Sequence, residues 1–140
     1  MTEQIIEKLN DEESWAILQA NQIGRVASAR EGAPDIFPVS YIVSDWVIYF
    51  RTGVDSRLRI ETEGRLVAFE TATQAPGSFS STVTLGVLEV VNDTELIAKL
   101  DQVPIIEFAP NKNYVWLALH PQDVRGRRLN VITTRSIPTI

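Results

Sequence analysis

The side chains most able to do chemistry gather at one junction, Arg51-Thr52-Gly53 followed by Asp55-Ser56-Arg57. The apolar run Val47-Ile48-Tyr49-Phe50 ends there and a helix start follows at once. Hydroxyls of Thr52 and Ser56, guanidiniums of Arg51 and Arg57 and the unpaired N–H groups of a helix N-terminus would converge where strand gives way to helix. Such a grouping suits a phosphate, because helix starts favour negative charge and arginine adds bidentate, charge-assisted bonds. Spacing leaves a plainer alternative open, in which Arg51, Arg57, Arg59 and Arg65 solvate a surface. Arg51 favours the first reading, since it follows a run that looks buried. A second basic cluster, Arg125-Gly126-Arg127-Arg128, could meet the far end of a ligand or an acidic face of a partner subunit.

Other chemistries are excluded more sharply. His120 is the only histidine and there is no cysteine, so one subunit offers no multi-histidine or thiolate metal site, no disulfide and no cysteine nucleophile. No glycine pattern of a nucleophile elbow surrounds any serine. His120, followed by Pro121, reads as a structural or surface residue at a strand end. Asp11-Glu12-Glu13 reads as capping charge at a helix start, and Trp15 as core. A chain so poor in reactive side chains needs a cofactor to carry any reaction, with the fold positioning it.

The elements that position these residues follow from pattern. The 140 residues fit a single domain spanning 1–140, able to bury roughly two thirds of its unfolded surface without staples. The net charge of −5 and the absence of a Lys/Arg run argue against a nucleic-acid partner. No apolar run approaches the ~20 residues that span a bilayer, so no membrane partner is expected. The acidic start MTEQIIEKLNDEE is no signal peptide, so a soluble cytoplasmic protein is expected. Thr2–Leu9 and Glu12–Ala20 read as short helices, the second capped by Asp11. Ile23–Arg30 reads as a strand, and Asp35–Ser44 with Trp46–Thr52 as an antiparallel hairpin interrupted by Pro38. A short helix after Ser56 closes at Gly64. Strands are expected at Arg65–Thr73, Ser80–Val91, Tyr114–His120 and Val124–Thr134, with a loop over Gln74–Ser78 and a bulge or close approach at Gly86. Asn92-Asp93-Thr94 caps a third helix, Glu95–Leu100, and Pro104–Asn113 is irregular. Six to seven closely spaced strands with short peripheral helices give a mainly β barrel, since direct connections disfavour a parallel βαβ sheet.

Five segments in order carry a resemblance. Ala33 to Tyr41 (APDIFPVSY), Ile48 to Thr52 (IYFRT), Ser56-Arg57-Leu58, Val67-Ala68-Phe69-Glu70 and Val124 to Leu129 (VRGRRL) resemble the pyridoxamine 5′-phosphate oxidase-like family of flavin-binding proteins. The likeness runs from about Trp15 to Leu129. It implies an FMN-binding split β-barrel and a homodimer with the cofactor at the subunit interface. Carried onto this sequence, it places Arg51, Thr52, Ser56 and Arg57 at the FMN phosphate, Phe37-Pro38-Val39-Ser40 along the isoalloxazine, and Arg127 in the family's terminal Gly-Arg-Arg strand. The chain departs from the family at four places. Ser40 stands where Asn is common, Arg57 where Lys is, Ser80-Ser81 replaces a Trp-Ser pair, and Leu85 replaces an arginine. The resemblance implies a flavin-dependent oxidoreductase of unknown substrate. The alternative is a non-catalytic module for flavin, deazaflavin or haem on the same fold.

Overall fold

The computed structural model describes residues 4–107 and 113–131. They form a split β-barrel, a curled antiparallel sheet of eight strands with three helices. The strands are β1 (Gln4–Leu9), β2 (Ile23–Ser28), β3 (Asp35–Ser40), β4 (Ile42–Ser44), β5 (Val47–Gly53), β6 (Leu66–Ala75), β7 (Ser78–Val90) and β8 (Tyr114–Val131). The helices are α1 (Asp11–Ala20), α2 (Arg57–Thr62) and α3 (Thr94–Asp101). Hydrogen-bonded neighbours run β3-β2-β6-β7-β8-β5-β4, with β1 beside the far half of β8.

Both faces of the central strands are covered. Ile48 and Phe50 of β5 and Leu117 and Leu119 of β8 point into a core with Leu18 of α1, Val26, Phe69 and Leu88. The alternate residues Tyr49, Trp116 and Ala118 join Leu100 of α3 in a second cluster on the opposite face. Trp15 is buried in the first core, as the sequence suggests. Each fully buried Leu, Ile or Phe contributes about 1.5–3 kcal/mol, so these facing strands fix the barrel.

Several elements differ from expectation. Gln4–Leu9 is a strand and not a helix, pairing from Gln4↔Val131 to Leu9↔Gly126. A distant partner offering a full ladder overrides weak local propensity here; residues 2 and 3 of that expected helix lie outside the described residues. Asn10, not Asp11, caps α1. Its carboxamide oxygen accepts from the Glu13 N–H at 2.8 Å and the Glu13 carboxylate accepts from the Asn10 N–H at 3.1 Å, a reciprocal capping box. The expected hairpin breaks at Tyr41. β3 pairs with β2, and only the short β4 pairs with β5. The Tyr41 N–H goes to the Gln22 carbonyl, and its phenol donates to the Leu18 carbonyl at 2.6 Å, turning the chain from one partner to the other. Pro38 is tolerated because β3 ends the strand order, where a missing N–H breaks no ladder.

The two expected final strands are one, β8, bent at a bulge. Leu85 pairs with Asp123 but Gly86 with Pro121, leaving one extra residue on β8. A Cβ on Gly86 would lie 2.2 Å from the His120 carbonyl oxygen, so the close approach expected at this glycine is real. The last three residues of the expected strand Val124–Thr134, 132–134, lie outside the described residues. The expected loop Gln74–Ser78 shrinks to a Pro76-Gly77 turn, with Gly77 at φ 75°. The third helix, N-capped by Asp93, lies where the sequence places it.

Candidate functional site

The ends of β3 and β5, the start of α2 and the segment after α3 enclose a hollow of about 600 Å³. β3 supplies Pro38, Val39 and Ser40 to its wall. β5 supplies Arg51 and Thr52, and Ser56 enters from the N-cap of α2. Ile105, Ile106 and Glu107 add a further wall, and Tyr114 at the start of β8 completes the lining.

Strand alternation places Arg51 on the face of Tyr49 and Trp116, and Thr52 on the face of Phe50. The Arg51 guanidinium lies 4.5 Å from the Tyr114 ring centroid and 5.8 Å from that of Trp116, a cation–π seat. Both rings are pinned by one carboxylate. The Tyr114 hydroxyl (2.9 Å) and the Trp116 indole N–H (2.8 Å) donate to Asp101 Oδ1 at the end of α3. That hydrogen bond, then burial, holds the Tyr114 phenol above its ordinary pKa, while Arg51 pulls the other way. Arg51 also pairs with the carboxylate of Glu107.

On the other side of the hollow the Thr52 and Ser56 hydroxyl oxygens lie 2.7 Å apart. Ser56 Oγ also accepts the Arg59 N–H at 3.1 Å, capping α2. That helix donor is therefore consumed within the chain and does not face the hollow. Of the two hydroxyl protons, one is shared between Thr52 and Ser56, which leaves the other to donate elsewhere.

Three residues named from the sequence lie apart from this grouping. Arg57 turns outward and bridges Asp35 at 2.8 Å and Glu61 at 2.9 Å, its side chain 72 % exposed. These carboxylates, Glu61 first, raise its pKa. Phe37 packs against the barrel core. Arg127 is exposed and lies eleven residues along β8 from Trp116, the partner of Arg51, which is roughly 36 Å of strand path. Its neighbours are committed elsewhere, Arg125 to Asp123 and Arg128 to Glu7. His120 is exposed and faces Glu89, outside the hollow.

Sequence reasoning missed Tyr114, Trp116, Asp101 and Glu107. Tyr114 and Trp116 do alternate at the start of a strand, a usable signal once that strand is paired with β5. No local pattern marks Glu107, because its pairing with Arg51 spans 56 positions.

Comparison with known proteins places this geometry in context. A family model described as pyridoxamine 5′-phosphate oxidase matches residues 10–128. A Corynebacterium glutamicum protein provisionally named a pyridoxamine 5′-phosphate oxidase is 30 % identical, with 89 % of this chain and 94 % of that one covered at a TM-score of 0.78. An FAD-binding protein from Mycobacterium smegmatis shares the fold at 23 % identity, with 88 % and 97 % covered and a TM-score of 0.78. One from Mesorhizobium loti does so at 22 % identity, with 91 % and 99 % covered and a TM-score of 0.70. None of the curated proteins matches the sequence at a significant level.

Proposed function

The chain belongs to the pyridoxamine 5′-phosphate oxidase family, and on that premise we propose that it is an FMN-binding, flavin-dependent oxidoreductase working as a cytoplasmic homodimer. The observation that carries the proposal is one hollow shared by a guanidinium, two hydroxyls and the Pro38-Val39-Ser40 backbone. Its donor set fits a phosphate monoester. Arg51 supplies charge and a two-pronged fork, and the Thr52–Ser56 pair supplies a further hydroxyl donor. Val39 and Ser40 are buried and line the wall as an edge of backbone, suited to the polar rim of a flat ring. Two neighbours of this fold named as FAD-binding lend support.

A bound flavin would supply hydride or electron transfer. The chain would hold the phosphoryl end through Arg51, Thr52 and Ser56, orient the ring along Pro38 to Ser40, and shield it with Ile105 and Ile106. Arg127 cannot serve the hollow of its own chain, being far along β8. Its place in a cofactor site, like that of any contact implied at a subunit boundary, therefore depends on a second copy. Phe37 would act from the core behind the ring's wall, and Arg57 by holding α2 to β3 through Asp35.

A non-catalytic carrier of flavin, deazaflavin or haem is the rival reading. It is favoured by the lining's titratable groups, which are few and include Arg51 already paired with Glu107. The test is to titrate purified protein into FMN, then photoreduce the complex and mix it with oxygen, quinones or nitroaromatics. Quenched FMN fluorescence with turnover faster than free flavin supports the oxidoreductase; quenching without turnover supports the carrier; no quenching removes both flavin readings.

A further inference from the structure

After α3 the chain crosses the hollow as a strap tied at two points. The Ile106 N–H donates to Ser40 Oγ at 3.2 Å on β3, and the Glu107 carboxylate pairs with Arg51 on β5. Glu107 is thus an anion already seated on the guanidinium assigned above to a ligand's phosphate. Its side chain is 47 % exposed, whereas that of Arg51 is 22 % exposed and held against Tyr114 and Trp116. The carboxylate is the partner free to leave; the guanidinium is fixed from behind.

Resting on the anion-site reading of that hollow, we infer that Glu107 is an intrachain counter-ion which competes with the ligand's phosphate for Arg51, making it a specificity-determining residue. A phosphate entering the fork must displace the carboxylate, because two anions sharing one guanidinium repel at close range. A ligand without a phosphate has no claim on Arg51 and leaves Glu107 in place. Displacement also frees one tie of the strap, so phosphate binding and strap closure oppose each other. The Ile106–Ser40 bond then remains to tie the strap to β3.

The experiment uses the full chain and the variants E107Q, E107A and the double variant R51A/E107Q, each checked by circular dichroism. Inorganic phosphate is followed by intrinsic tryptophan fluorescence, Trp116 lying beside Arg51, and FMN and riboflavin by flavin fluorescence. E107Q and E107A should each bind phosphate and FMN roughly five- to tenfold more tightly than the wild type, from loss of one close like charge in a half-exposed site. Riboflavin affinity should change less than about twofold, and the gain should vanish in R51A/E107Q. Unchanged or weaker phosphate binding in both single variants overturns the inference and would make Glu107 a residue that positions Arg51. If phosphate binds more tightly in E107Q but no form binds FMN, the inference stands and the flavin reading falls. If no form binds phosphate, the seat does not exist and the inference falls with it.

Discussion

A guanidinium at a strand end normally costs rotamer freedom to hold in place, yet Arg51 is immobilised by flat rings that are themselves fixed through Asp101. That separates Arg51 from Arg57, although the family resemblance places both at the phosphate. Arg51→Ala should weaken FMN by about 1.5–3 kcal/mol through loss of charge-assisted bonds. Arg57→Ala should change the same Kd by less than about threefold, because its carboxylate partners lie outside the hollow and the side chain is exposed; isothermal titration of both variants separates them. Tyr41 gives a second prediction at this scale. Burial pushes its phenol up to about 12, against an opposing hydrogen bond from Thr71. The unfolded chain therefore ionises this group first, near pH 10, so its contribution to stability is present below pH 10 and lost as pH rises towards 12. Denaturant midpoints of the wild type should fall across that window, and Tyr41→Phe should flatten the fall while losing the bond to Leu18 at neutral pH.

The elements show which parts of a sequence speak locally. Asp93 announces α3 and Gly86 announces a bulge, because capping and close approach are properties of a few consecutive residues. The Arg51-to-Ser56 junction is legible for the same reason, a strand end and an N-cap lying in one short stretch. Pairing partners are not legible in this way. Asp35–Ser44 and Trp46–Thr52 look like a hairpin, yet the first six residues pair with β2, a choice made by Tyr41 reaching Gln22 and Leu18. Gln4–Leu9 looks helical until β8 offers it a ladder, and Glu107 finds Arg51 only when the barrel closes. Gly86→Ala tests the bulge itself. With the backbone carbonyl oxygen of His120 2.2 Å from the new Cβ and its carbonyl carbon at 3.0 Å, the ladder must shift, and chemical denaturation should show a loss of about 1–3 kcal/mol.

At the scale of the whole molecule, one chain holds both the hollow and, far along β8, the exposed arginine of its Gly-Arg-Arg strand. A homodimer with the cofactor at its interface resolves that separation and makes a distinctive prediction. Arg51→Ala and Arg127→Ala should each weaken FMN binding in homodimers. A mixed dimer of the two variants should regain one intact site, with Arg51 from one subunit and Arg127 from the other; flavin stoichiometry after co-refolding measures it. The described residues contain no helix long and apolar enough to cross a membrane. The central claim, that the Arg51–Thr52–Ser56 hollow holds the phosphoryl end of a flavin, is tested most directly by titrating the wild type and Arg51→Ala into FMN and riboflavin while following flavin fluorescence. Saturable quenching of FMN by the wild type, weaker for riboflavin and about equally weak for both flavins in Arg51→Ala, is the predicted result. FMN affinity unaffected by Arg51→Ala, or no quenching by the wild type, would contradict it.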